Sequence, residues 1–224
     1  MSEQYWSVPR EWPGETFFLL GGGPSLRGFD ARILQGQGRV IAINNSYLLA
    51  PWADVLYFSD SPWWESHKRS WRDLEGMDHP GVLDIFTGRY RVSLGTSEDE
   101  TERLRTTGET GLEHHPTGLK RGGNSGYQAI NLAHHFGAGR IVLLGYDMKT
   151  NGNRTHWHAG HERETVEGQD RRFRQMFLPA FTSLVEPLRE AGIEVVNATL
   201  GSALACWPPV ALSEILIEVP VTIP

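Results

Sequence analysis

The stretch from Thr16 to Asp30, TFFLLGGGPSLRGFD, constrains this chain more than any other. The apolar run Phe17-Phe18-Leu19-Leu20 stops at three glycines, Gly21, Gly22 and Gly23, and Pro24 and Ser25 lead into a segment of helical character from Leu26 to Leu34. This is the pattern of a buried parallel strand that turns sharply into a helix N-terminus. Glycines there let a ligand approach the backbone, and free N–H groups at a helix start attract anions, most often a nucleotide phosphate. The triplet is neither the G-x-G-x-x-G dinucleotide fingerprint nor a P-loop, because no Gly-Lys-Ser/Thr follows. Two readings stand side by side: a ligand loop, and a tight strand–helix turn.

Further along, Arg39–Ile43 (RVIAI), Val55–Phe58 (VLYF), Val82–Phe86 (VLDIF), Arg140–Leu144 (RIVLL) and Glu194–Asn197 read as strands. Helices are expected from Pro62 to about Leu74, from Tyr127 after the lead-in Asn124-Ser125-Gly126 with Gly137 ending it, and from Gln169 to Ala191, where Pro179 and Pro187 bend or divide the helix. Residues 87–121 are polar and weakly patterned and read as an inserted lid or small subdomain. The tail from Val210 is expected to add a helix turn and an edge strand. Strands alternating with helices imply a single α/β domain over residues 1–224, Rossmann-like, with a mostly parallel sheet and helices on both faces. Ligands in such sheets bind beyond the carboxyl ends of the strands. Those ends carry Gly21–Ser25, Asn44–Asn45, Ser59–Asp60, Gly145–Asp147 and Asn197.

Bulk properties exclude several classes. At 224 residues with 39% hydrophobic and 21% charged side chains, the chain can bury a full core and is not disordered. A net charge of −6 disfavours a general duplex binder, although Lys120 and Arg121 leave room for a local basic groove. With Cys206 as the single cysteine there is neither an intramolecular disulfide nor a cysteine zinc site. No apolar run approaches the roughly 20 residues of a membrane helix, so no membrane insertion and a cytoplasmic location are expected. The eight tryptophans read first as packing residues, and Trp63, Trp64 and Trp157 alternatively as a platform for a base or sugar.

The set GGGPSL, AINNSY, FSD, GNSGYQA and LLGYDM resembles a Rossmann-like superfamily of nucleotide-using transferases. One branch is the bacterial lipooligosaccharide sialyltransferases, with a CMP-sugar donor. Another is the archaeal-type 6-hydroxymethylpterin pyrophosphokinases, which transfer diphosphate from ATP. The histidine loop and the NATLGSALACWP tail look most like uncharacterised phage and prophage proteins, which would place the chain in a host cytoplasm. The resemblance spans residues 16–60 and 122–207. It implies a nucleotide-dependent, glycosyltransferase-like reaction with a nucleotide or nucleotide-sugar donor. The acceptor stays open between a glycan and a modified base, and a homo-oligomer is compatible with it. Gly21, Gly22, Gly23, Pro24 and Ser25 would face the donor phosphates or ribose. Asn44 and Asn45 would hydrogen-bond the nucleotide, and Asn124, Ser125 and Gly126 would meet its base or ribose. Asp60 and Asp147 join this nucleotide-binding set. Under the pyrophosphokinase branch these two aspartates would also hold Mg²⁺, and no other cofactor is implied. A non-catalytic nucleotide- or nucleic-acid-binding accessory protein is the alternative outside enzymes.

In the sialyltransferases a histidine acts as general base on the acceptor hydroxyl while tyrosines assist the leaving phosphate. Here the base candidates are His158 first, then His156 and His161, in Thr155-His156-Trp157-His158-Ala159-Gly160-His161; no tyrosine pair lies in this loop. An unperturbed histidine pKa near 6.5 suits that task. His-x-His-x-x-His also reads as a metal site or as structural loop residues. It is similar to the His-x-His-x-Asp-His run of metallo-β-lactamase-type hydrolases, with Gly160 where the aspartate would stand.

Overall fold

The computed structural model describes residues 5–73, 75–95, 100–152, 154–158 and 165–217. Its centre is an eight-stranded sheet: β1 (Thr16–Leu20), β2 (Arg39–Ile43), β3 (Val55–Phe58), β6 (Tyr90–Leu94), β7 (Glu102–Thr106), β8 (Gly118–Leu119), β9 (Arg140–Leu144) and β10 (Glu194–Asn197), in the order β10-β9-β1-β2-β3-β6-β7-β8. Every neighbouring pair in it is parallel. Between β3 and β6 lie α1 (Ser61–His67), a small antiparallel hairpin of β4 (Trp71–Arg72) with β5 (Asp78–His79), and α2 (Val82–Ile85). The helices α3 (Ser125–Phe136), α4 (Val166–Arg172), α5 (Leu178–Thr182) and α6 (Val185–Glu190) complete the order.

Alternation along the strands sorts the core into two layers. Phe17, Leu19, Ile41 and Tyr57 pack against Ile130, Ala133 and Phe136 of α3 and against Phe181 and Leu188. Phe18, Leu20, Val40 and Phe58 pack on the other face against Leu26, Leu34, Trp63, Trp64 and Val82. Both faces of the central strands are therefore covered, which is why those strands are continuous apolar runs.

Four sequence expectations change. Leu26–Leu34 is not one helix but two 3₁₀ turns, Pro24–Leu26 and Ala31–Leu34, separated by Gly28 at φ +74°. The helix expected to reach Leu74 stops at His67, and the chain turns into the β4–β5 hairpin. VLDIF is helix α2, not a strand; Asp84 Oδ2 accepts the Gly81 N–H at 2.8 Å and nucleates the turn. Residues 87–121 are not an insertion laid over the sheet: they supply β6, β7 and β8. Leu104 is the one buried residue of β7, so that strand shows no apolar run in the sequence. Gly137 does end α3, at φ +104°. The long C-terminal helix is divided into α4, a π-helical turn at Phe173–Phe177, α5 and α6, with Pro179 in the first turn of α5. The helix turn of the tail is Leu212–Glu214, and the expected edge strand lies outside the described residues.

Chain order sets where a ligand belongs. From β1 the sheet grows through β2 and β3 in one direction, and through β9 and β10 in the other. The crevice at such a reversal, beyond the carboxyl ends of β1 and β9, is the binding place of doubly wound sheets.

A candidate nucleotide crevice at the switch point

A cavity of about 820 Å³ opens there. Its wall takes in Gly21, Gly22 and Gly23 after β1, Asn44 after β2, Ser59 and Asp60 after β3, and Tyr146 to Lys149 after β9. Gly123 to Gly126 at the start of α3 line it too, as do His156 and His158.

The three glycines are required chiefly by the protein's own packing. A Cβ on Gly21 would lie 2.7 Å from the Gly145 carbonyl oxygen, and one on Gly23 would overlap the Asp147 carboxylate. On Gly22 it would meet His156 Cδ2 at 3.0 Å, so this glycine admits the histidine ring. Pro24 and Ser25 do not line the cavity. Ser25 is turned to Asp147, whose Oδ2 accepts the Ser25 hydroxyl at 2.7 Å and whose Oδ1 accepts the Ser25 N–H at 3.1 Å. Burial raises the Asp147 pKa above 3.8, against the opposing pull of those two bonds. Asp60 is the cap of α1, its Oδ1 accepting the Trp63 N–H at 2.7 Å. Both aspartates named for Mg²⁺ are thus engaged by neighbouring backbone. Among the described residues no three acidic, histidine or cysteine side chains converge as a metal set.

The longest helix start that faces the crevice belongs to α3. Asn124 caps it, with Oδ1 accepting the Tyr127 N–H at 2.9 Å, and Ser125 and Gly126 line the cavity. A twelve-residue helix presents its partial positive charge there. Ser125 Oγ lies 2.9 Å from Ser59 Oγ and accepts from Asn44 Nδ2 at 3.5 Å, which joins α3 to the ends of β2 and β3. Asn44 Oδ1 is buried with no hydrogen-bond partner, and its backbone sits at φ +50°. Met148, also in the wall, has φ +50°. Strained backbone and an unmet acceptor on one cavity wall are features that proteins retain at ligand sites.

The histidine loop is fastened over the glycine loop. Trp157 N donates to Gly22 O at 3.1 Å, and its indole Nε1 donates to Ser46 Oγ at 3.4 Å. His156 Nδ1 lies 2.8 Å from Thr155 Oγ1. His158 Nδ1 lies 3.4 Å from the Asn45 amide nitrogen, and the two imidazoles are 5.5 Å apart. Asn45 itself does not line the cavity; it stands behind His158. His161 lies outside the described residues. Trp63, Trp64 and Trp157 pack into or against the core and are not part of the cavity wall.

Arg121, one of the two residues offered for a local basic groove, is in the wall, together with Lys149, Arg172, Gln128, Phe173 and Phe177, which the sequence did not single out. The last two come from the π-helical turn. Such turns recur at functional sites, and no residue pattern announces them.

No family model matches the chain, and no curated protein matches it. Two solved structures share its fold. A Maf glycosyltransferase from Magnetospirillum magneticum AMB-1 aligns over 97% of this chain at 12% identity and TM-score 0.59. The sialyltransferase CstII from Campylobacter jejuni, solved with the substrate analogue cytidine-5'-monophosphate, aligns over 92% of this chain and 88% of its own at 12% identity and TM-score 0.52. The chain spans 37% of the Maf protein's length. At this identity the likeness establishes an α/β Rossmann-like fold of the kind these transferases use. Among the described residues no helix is long and apolar enough to cross a membrane.

Proposed function

We propose that this protein transfers a glycosyl group from a nucleotide-sugar donor to an acceptor hydroxyl. One observation carries the reading: the switch-point crevice presents the start of α3 beside an unpartnered Asn44 carbonyl oxygen, a donor–acceptor pair matched to an anionic, hydroxylated ligand. The glycosyltransferase folds it shares support the same reaction class. The donor phosphate lies between the glycine loop and the α3 N-terminus, and Asn44 and Ser125 take the nucleoside.

The general base is His156 rather than His158. The His156 ring rests on Gly22, and this reading puts the junction of phosphate and sugar beside it. The Thr155 hydroxyl can accept from Nδ1–H, and in that tautomer the basic nitrogen of the ring is Nε2. The acceptor oxygen then bonds to the sugar carbon as the bond to phosphate breaks, and that electron pair stays on the phosphate oxygen. Mg²⁺-dependent diphosphate transfer is not adopted, because Asp60 and Asp147 already serve as backbone caps.

A panel of CMP-, UDP- and GDP-sugars, incubated with the folded protein with and without Mg²⁺, tests this by nucleotide release. Release from one donor class is expected. His156→Ala should lower turnover about 100-fold or more, with nucleotide affinity held within about threefold, under 1 kcal/mol. No release from any donor, with saturable nucleotide binding, would favour the accessory-protein reading.

A further inference from the structure

The contact chain Trp63–Asn45–His158 bears on where the His158 proton sits. An indole N–H is a donor only, and Trp63 Nε1 donates to Asn45 Oδ1 at 2.6 Å. That assigns the amide, so the Asn45 NH₂ group is what faces His158 Nδ1 at 3.4 Å. An amide NH₂ accepts nothing, so Nδ1 is the accepting ring nitrogen and the neutral imidazole carries its proton on Nε2. Asn45 is 2% exposed and Trp63 6% exposed. Both are held on ordered elements: Asn45 in the 3₁₀ turn after β2, and Trp63 on α1, stacked on His67 at 4.8 Å and packed against Phe58 at 5.2 Å. His158 lines the cavity, and its Nδ1 edge is turned to Asn45, which does not.

We infer that Trp63 and Asn45 are positioning residues that hold His158 as an Nε2–H donor to the leaving phosphate oxygen, and that His158 is not the base. The inference rests on the transferase reading for its ligand and on the three side chains alone for its tautomer. As the sugar–oxygen bond breaks, its electron pair stays on the phosphate oxygen. That oxygen accepts a hydrogen bond from His158 Nε2–H, and no proton is transferred there. The acceptor's proton goes to His156. The two imidazoles, 5.5 Å apart, thus divide donor and base.

Nitrogen-15 NMR of the imidazoles reads the tautomer directly. It is recorded on the full chain without nucleotide, at a pH where the histidines are neutral, with His158 assigned through its loss in His158→Gln. The expected wild-type form is Nε2–H. Asn45→Asp puts a carboxylate between Trp63 and Nδ1, and should move the proton to Nδ1. If that variant does not fold, Trp63→Phe frees the amide to rotate, and Nδ1–H should appear as a mixture. Nδ1–H in the wild type, or an unchanged tautomer in the folded variants, overturns the relay. With CMP as the probe, His158→Ala should weaken binding about tenfold through loss of a hydrogen bond to a charged group, and His156→Ala should not. Equal effects overturn the donor assignment. A chain with the expected tautomers that binds no nucleotide keeps the relay and loses the transferase reading together with the donor's ligand.

Discussion

At the ends of β1 and β9 the crevice wall is closed on itself. Asp147 takes both the N–H and the hydroxyl of Ser25, Ser46 Oγ donates to Gly21 O at 2.6 Å, and Gly23 N donates to Gly145 O at 2.9 Å. One strand over, where β2 ends and α3 begins, the wall is left open: Asn44 Oδ1 is buried without a partner on a strained backbone. The two regions use the same small and amide-bearing residues and differ in whether their polar groups are already met. A met group stabilises the fold, and an unmet one in a cavity wall is open to a ligand. The glycine motif is therefore scaffold first, and under the proposed function Asn44, Ser125 and the α3 N-terminus are the groups that read the ligand.

Substitutions on the two walls should have opposite signatures. The largest effect is expected at Asp147. Asp147→Ala strands the Ser25 N–H and should cost about 2 kcal/mol of stability, read from denaturant unfolding. Asp147→Asn keeps an acceptor for Ser25 N–H and sheds a buried charge, so it should cost far less. If both variants are neutral, the closed wall is not scaffold. Acid tests the packing at the other end of α3, away from the crevice. Burial lowers the His134 pKa from 6.5 to about 4, so His134 is neutral in the folded protein. A base with a lowered folded pKa contributes stability that is present above 6.5 and lost as the pH falls from there toward about 4. Thermal unfolding across that window should show the loss, and His134→Gln should flatten it. The smallest change is Gly22→Ala, whose Cβ presses on His156 at 3.0 Å and needs a shift of only a few tenths of an ångström. Turnover should fall several-fold while nucleotide affinity and stability hold. A drop in affinity as large as the drop in turnover would mean that Gly22, and not the open wall, reads the nucleotide.

The same division decides what the sequence could disclose. TFFLL, RVIAI, VLYF and RIVLL are buried on both faces, and such runs read as strands without help. ERLRT buries only Leu104, so β7 and its two-residue neighbour β8 carry no apolar signal. VLDIF is short and apolar, and periodicity does not separate a strand from a helix at that length; the Asp84 bond to Gly81 N–H made it helix α2. Strand-end residues were legible as a group because chain order alone places them at one sheet edge. Their individual parts were not. That Ser25 turns away to Asp147, or that Asn45 stands behind His158 while Asn44 lines the cavity, depends on contacts 122 and 113 residues apart in the chain.

The most direct test of the open wall is a calorimetric titration of CMP, UDP, GDP, ADP and ATP into the wild type and Asn44→Gly. Glycine accepts the φ of +50° at this position and removes only the amide. The wild type is expected to bind one nucleotide class. Asn44→Gly should bind it about tenfold more weakly through loss of one well-placed acceptor, with an unfolding temperature no lower than the wild type's. Equal affinity in the two proteins, or no nucleotide bound by folded wild type, would contradict it.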